Sequence, residues 1–505
     1  MTSEVMGRDD VRGDLSLDCD VVVIGSGAGG ATAAAELAEA GLDVIVVEEG
    51  HYHRTGDFSA EASAMVQKLY RDGGATMALG NPPILFQEGR AVGGSTVING
   101  GMSWRTPERV LDRWARIDGL ERISMRDMEP YFERVERRIH VAYQDPGSVG
   151  RDNELLRLGA ERKGWEVIPN LRNQLHCPGS NNCAFGCPTG AKQSALVTYV
   201  PRALHFGARL LSDVRVERIT RDGKRATGVE GRVLDGHGRP AARVSVRAEL
   251  VVLAAGATQS PTLLSRSGFR SPSGQLGRNL SLHPNSKVIA IFDEDVRGWE
   301  GVHQAYQVRE FEDEGLLFAA INVPPGVLAM SAPCYGAELG DLLRDYARTV
   351  VAGVLVEDSS LGRVVAAPGG RSVVTYQLGD RDAAMLVRGI ALLCDLLFEA
   401  GARRIIPPFE GIGELRGPDD LVKLDPRRIP KSAMEVVTVH LMGTARMGAD
   451  RSAAVCDSYG RVHDADRLMI CDASLFPSPI GVNPAETIQA LATRNAHRAI
   501  DTWPR

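Results

Sequence analysis

The stretch that most restricts how this 505-residue chain folds is Asp20-Val-Val-Val-Ile-Gly25-Ser-Gly27-Ala-Gly-Gly30. A run of β-branched residues leads straight into G-x-G-x-x-G, an Ala-rich stretch follows to Gly41, and Asp43-Val-Ile-Val-Val-Glu48 repeats the apolar run. That pattern is strand, helix, strand: the βαβ unit of a parallel sheet covered on both faces. Gly25 permits the tight turn, Gly27 lets backbone approach a pyrophosphate, and Gly30 lets helix and strand pack closely. The helix N-terminus adds unpaired N–H groups and positive potential. Glu48, closing the second strand, is placed to accept from ribose hydroxyls, and its charge disfavours a 2′-phosphate. The chain is therefore read as α/β, with a Rossmann-like dinucleotide-binding domain.

Further on, residues 106–140 carry helical spacing and residues 209–255 alternate like strands around a turn near Asp235-Gly236. Helical periodicity returns at 381–400, Leu468-Met-Ile-Cys471 reads as a buried strand, and a helix is expected from Pro484 to Ile500. Lys+Arg 58 against Asp+Glu 64 leaves a net charge of −6, which argues against a nucleic-acid partner. A polar, acidic start without the pattern of a signal peptide, and no run of roughly 18 apolar residues, predict a cytoplasmic protein with no membrane span.

Three of the eight cysteines cluster, in Cys177-Pro-Gly-Ser-Asn-Asn-Cys183-Ala-Phe-Gly-Cys187-Pro188. C-x5-C-x3-C-P is compatible with one soft metal centre. Three thiolates suit a [3Fe-4S] cluster, a fourth ligand would be needed for [4Fe-4S], and zinc would need His176 as well. Free thiols in a tight loop are the other reading of the same residues.

A second glycine cluster, Gly89-Arg-Ala-Val-Gly93-Gly94-Ser95-Thr-Val-Ile-Asn99-Gly100-Gly101-Met102, makes the chain resemble the glucose-methanol-choline (GMC) family of FAD-dependent oxidoreductases. Val216 in its strand, the Ala254-Ala-Gly256-Ala257 turn, His440-Leu-Met-Gly443-Thr444, Asp472-Ala473 and Gly481-Val-Asn483-Pro484 follow in family order. The resemblance implies FAD held by Gly25, Gly27, Gly30, Glu48, Gly94, Ser95, Asn99, Val216, Ala254 and Gly256, and by Asp472, Ala473, Asn483, Pro484 and Thr487 nearer the C-terminus. It implies an FAD-binding domain from segments 16–110, 189–282 and 431–505, and a sheet-plus-helices substrate domain from 111–188 and 283–430. No His precedes Gly93-Gly94-Ser95, where some relatives attach flavin covalently, so the FAD is expected to be non-covalent.

By the same resemblance His440 is the base that removes an alcohol proton while hydride passes to the flavin, and Asn483 holds the substrate oxygen. A neutral imidazole suits that role. The 481–495 segment is similar to cholesterol oxidase, and the cysteine segment to a bacterial branch related to long-chain alcohol oxidases. Its spacing also resembles FAD-dependent glucose dehydrogenase subunits that carry [3Fe-4S]. This implies a cluster on Cys177, Cys183 and Cys187 that passes electrons to a protein or quinone acceptor. The acidic runs Glu310-Phe-Glu-Asp-Glu314 and Asp293-Glu-Asp295 read first as solvated loops and second as a surface for a cationic sugar such as an aminoglycoside, whereas apolar Val323 to Met330 fits a fatty or sterol alcohol oxidised by oxygen. A non-redox lyase or decarboxylase on the same fold, or a flavoprotein that only transfers electrons, are the rival classes.

Overall fold

Uninterrupted apolar runs make stable strands only where both faces are covered. Residues 21–24, 44–47 and 251–253 meet that condition, since every side chain in them is buried. In the computed structural model, which describes residues 5–504, these runs lie side by side in a parallel core. Strand order is Val5–Met6, Arg209–Leu211, Val44–Val47, Leu15–Ile24, Pro240–Leu253, Arg225–Leu234, Val214–Asp222. Pro240–Leu253 is long enough to serve two neighbours on one edge. Its first half pairs antiparallel with Arg225–Leu234, and residues 251–253 pair in parallel with Leu468–Ile470.

The helix Ala28–Glu39 begins directly after Gly27 and packs on the helix Ala485–Asp501, which in turn carries Met125–Arg138. Glu36 is buried where these three helices meet, bonded by Arg134 and by His497 Nε2 at 3.0 Å and ion-paired with Arg138. Burial alone would raise its carboxyl pKa, but the bonds from His497 and Arg134 and the charge of Arg138 outweigh burial and bring it to about 2. Because the folded value lies below the ordinary one, this stabilisation is present above about pH 4.5 and is lost as pH falls toward 2. Glu36→Gln is expected to lower stability at neutral pH by about 3 kcal/mol, with the difference from wild type shrinking in acid; denaturant melts at several pH values check it.

The second sheet has thirteen strands. Asn285–Ile291, Thr349–Val356 and Leu316–Ile321 form its antiparallel centre, covered on one face by the helices Asp380–Glu399 and Arg151–Lys163. The short strands Thr76–Leu79, Ile84–Phe86, Arg278–Leu282, Val437–Thr438 and Leu441–Met442 extend it, so chain segments on either side of the glycine clusters also run in this sheet. The helices Glu108–Ile117 and Met125–Arg138, the strands between Arg209 and Leu253, Asp380–Glu399 and Leu468–Ile470 lie where periodicity placed them. Among the described residues no helix is long and apolar enough to cross a membrane.

Candidate active site

The strand Leu15–Ile24 ends in a turn at Gly25, whose φ of +95° suits glycine, and a Cβ there would stand 2.4 Å from the carbonyl oxygen of Ala254. The turn at residues 254–256 thus lies directly against the first glycine turn. The second glycine cluster closes on the same point. Gly94 has φ +54°, and a Cβ on it would come within 2.7 Å of Gly27 Cα, so backbone packs on backbone with no room for a side chain. Ser26 ties the two turns together: its Oγ accepts from Gly93 N–H at 3.0 Å and donates to Glu48 at 2.8 Å. Glu48 also accepts from the N–H groups of Ser26 and Gly50, at 2.9 and 2.7 Å.

These turns wall one end of a cavity of about 1050 Å³. Gly25, Gly27, Glu48 and Val216 line that end, with Ala254 and Gly256 beside them. Gly94, Ser95, Asp472 and Ala473 follow, and Asn99, His440, Asn483 and Pro484 complete the set. The buried Asp472 carboxylate takes the N–H of Gly256 at 2.9 Å, at the start of the helix Gly256–Arg266, together with Ser474 N–H and the Ser260 hydroxyl. Two predicted residues stay outside the lining. A Cβ on Gly30 would meet Gly25 O at 2.0 Å, so Gly30 packs helix on turn, and Thr487 bonds Thr106 at 2.8 Å between helix and loop. The fit to FAD rests on this chain's own atoms: a glycine cradle that any Cβ would fill, a carboxylate at the strand end, and two cavity-lining residues, Asn99 and Asn483, whose buried side-chain oxygens have no partner.

His440 follows the strand Val437–Thr438, and its backbone N–H bonds Thr438 Oγ1 at 3.1 Å. The Asn483 amide stands 3.5 Å from its Nε2. Burial lowers the His440 pKa to about 4, so the ring is neutral at physiological pH. Behind it is a residue that no sequence pattern marked: His283, wholly buried, with its Nδ1 3.0 Å from Nδ1 of His440.

The expectation of a cluster on the cysteines finds no support in the structure. Among the described residues no three His, Cys, Asp or Glu side chains stand so as to hold a metal ion, and all eight cysteines are free. The buried sulfurs are occupied as hydrogen-bond acceptors instead: Cys183 takes Arg172 at 3.5 Å, and Cys187 takes the Lys192 N–H at 3.3 Å. Lys192 Nζ then fastens the loop by donating to the carbonyls of Val97, Asn99 and Cys183. Close spacing here builds a buried turn braced by two cations. Among the described residues it offers no ready ligand set for an iron–sulfur cluster on Cys177, Cys183 and Cys187.

Fold and cavity together define a dinucleotide-binding α/β protein whose far wall is a polar pair suited to redox chemistry on a small molecule. The chain belongs to the GMC oxidoreductase family: models of that description match residues 66–285 and 366–492, and a model described as FAD binding domain matches residues 20–72. It is an FAD-dependent oxidoreductase. An uncharacterized GMC-type oxidoreductase of Sinorhizobium fredii is 36% identical over 97% of this chain and 96% of its own length. A long-chain-alcohol oxidase of Arabidopsis thaliana is 28% identical over 98% of this chain and 69% of its own, and paromamine 6′-oxidase of Streptomyces fradiae is 28% identical over 94% and 90%. Among solved structures, pyridoxine 4-oxidase from Mesorbium loti superposes with a TM-score of 0.73 over 95% of this chain and 99% of its own, at 19% identity, a likeness of fold.

Proposed function

We propose that the protein oxidises a neutral, largely apolar alcohol to an aldehyde or ketone, with His440 handling the hydroxyl proton and Asn483 orienting the oxygen. The carrying observation is the pairing of these two side chains at 3.5 Å on one wall of the FAD cavity. Bound FAD supplies the acceptor for the hydride. The chain supplies the rest: a buried neutral imidazole and, beside it, an amide with an unpartnered oxygen.

The two named alcohol-oxidising relatives share the same identity with this chain and differ in substrate, and the cavity lining supports the apolar alternative. Leu317, Ala319, Ile321 and Leu355 line it from the second sheet, and no Asp or Glu comes from the three central strands of that sheet. Lys287, the charged side chain there, is paired with Glu435. The acidic runs lie elsewhere and are partly engaged: Glu312 pairs with Arg309, Glu314 with Arg388, and Glu310 accepts the N–H of Glu166. The central strands of that sheet therefore offer a cationic sugar no carboxylate. Anaerobic bleaching of the flavin by an alcohol panel tests the reading, with fatty or sterol alcohols expected to bleach and aminoglycosides not. A chain that no alcohol bleaches would belong to the lyase or electron-transfer classes instead.

Asn483→Ala is expected to slow flavin reduction by roughly tenfold, the loss of one hydrogen bond worth about 1.4 kcal/mol in the reacting geometry. The flavin is held without a covalent bond, Arg90, Ala91 and Val92 standing before Gly93. Heat-treated protein is expected to release its FAD, with iron and acid-labile sulfide far below the flavin; iron at three or four atoms per flavin would restore the cluster.

A further inference from the structure

His283 stands between two groups whose hydrogen-bonding sense differs in freedom. On one side the backbone N–H of Gly481 donates to its Nε2 at 3.2 Å; on the other its Nδ1 meets Nδ1 of His440 at 3.0 Å. A backbone amide is always a donor, and a neutral imidazole carries one proton on one of its two nitrogens. With Nε2 occupied as an acceptor, the His283 proton sits on Nδ1 and is donated to His440. Nδ1 of His440 must then accept, which leaves the His440 proton on Nε2.

We infer that His283 is a positioning residue that sets the tautomer of His440, so that in the resting protein His440 presents N–H, not a lone pair, to the cavity. The opposite chain of bonds would set Nε2–H of His283 against the Gly481 N–H at 3.2 Å, two donors face to face. Gly481 lies in a left-handed turn against an ion pair. It has φ +74°, and a Cβ on it would lie within 3.0 Å of both Arg109 and Glu357, which are paired with each other. As it stands, the Asn483 NH2 faces His440 Nε2 at 3.5 Å, and the assignment requires the amide to turn. Its side-chain oxygen lacks a partner, and a half-turn of the amide brings that oxygen to the Nε2–H of His440.

The inference rests on the alcohol-oxidation reading for its meaning but not for its geometry. Under that reading, His440 first meets an alcohol by donating to its oxygen, the contact that also suits the carbonyl product. Before Nε2 can accept the hydroxyl proton, the proton it carries must leave to the cavity, Nδ1 of His440 must take the His283 Nδ1 proton, and His283 must take one up at Nε2 against the Gly481 N–H, so His283 controls that exchange.

The charged groups around the pair leave both rings uncharged near neutrality. Asp358 accepts from Leu282 N–H at 2.9 Å and from the Tyr376 hydroxyl at 2.6 Å, and burial holds its carboxyl well above the usual range. Arg109 neutralises Glu357, and Lys287 neutralises Glu435. Burial pushes His283 well below the ordinary histidine value, with the neighbouring His440 ring adding to the shift.

The test uses the FAD-loaded enzyme labelled with ¹⁵N-histidine, His440 being assigned by its loss in the H440A protein. Nitrogen shifts of the Nε2–H tautomer are expected for His440 in wild type and in His283→Asn, whose amide keeps the same donor and acceptor order. In His283→Asp the neighbour becomes an acceptor. His440 is then expected to show Nδ1–H, and the acid limb of flavin reduction against pH is expected to move up by about one unit or more. An Nδ1–H signature in wild type, or identical pH profiles for the Asn and Asp variants, would overturn the assignment. The wild-type spectrum decides the tautomer even if the Asp variant does not fold. It also decides it if no alcohol bleaches the flavin, an outcome that removes the alcohol reading alone.

Discussion

His440→Ala is expected to give a folded, yellow protein whose flavin is reduced by alcohol at least about 10²-fold more slowly than wild type. The side chain touches the cavity but carries none of the glycine cradle or the Glu48 turn, so FAD is retained. What is lost is the neutral ring that exchanges a proton with the bound hydroxyl. Its pH dependence separates chemistry from packing. Because burial lowers the His440 pKa to about 4, wild-type reduction is expected to be flat above that value and to fall as pH drops through it and the ring becomes charged. In the alanine variant this limb disappears. Anaerobic stopped-flow measurement of flavin absorbance gives both results, and an unchanged reduction rate would remove His440 from the reaction.

Gly94→Val is expected to abolish the yellow colour. The position combines φ +54° with a Cβ contact of 2.7 Å to Gly27 Cα, and the atom in the way is backbone, which has no rotamer to move. Left-handed strain and overpacking together cost about 3 kcal/mol or more, and relieving them separates the two turns meant to close on the pyrophosphate. That corresponds to a loss of roughly 10²-fold in FAD affinity. Gly41→Ala is the matched control: φ is +89° there, but a Cβ would meet nothing within 4 Å, so it bears the same kind of strain without the collision. The ratio of flavin to protein absorbance after gel filtration distinguishes them, and a Val variant that stays fully loaded would refute the cradle.

What was legible in the sequence was local. The βαβ unit could be read because its strands are unbroken apolar runs and its turn needs glycine at fixed positions. His440 and Asn483 were legible through motif context and lie together in the folded chain. His283 was not, because it is 157 residues from His440 and meets it only through the pairing of Arg278–Leu282 with Leu441–Met442 next to each ring. Ser26 hid inside the glycine motif, though its hydroxyl joins the two glycine turns. The cysteines misled for the converse reason: close spacing in sequence does not fix where sulfurs point, and Arg172 and Lys192, which hold two of them, carry no sequence signal for that task. The acidic runs resembled a binding surface, yet much of their charge is answered by local arginines. Thr76–Leu79 and Ile84–Phe86 are too short for their alternation to announce a sheet.

The pairing of residues 251–253 with Leu468–Ile470 also bears on the order of events at the ribosome. The first glycine turn is synthesised early, but Gly29 packs against Cys471, where a Cβ would stand 1.6 Å from its carbonyl oxygen, and Ala28–Glu39 rests on Ala485–Asp501. Until those late residues emerge, residues 251–253 have an uncovered sheet edge and the early βαβ unit has an uncovered helix face. Contacts this distant in sequence form slowly, and the waiting surface is open to chaperones or to misassembly. Tight retention of the cofactor is therefore expected only once the last helix has docked, and colour retained in a nascent-chain series checks it.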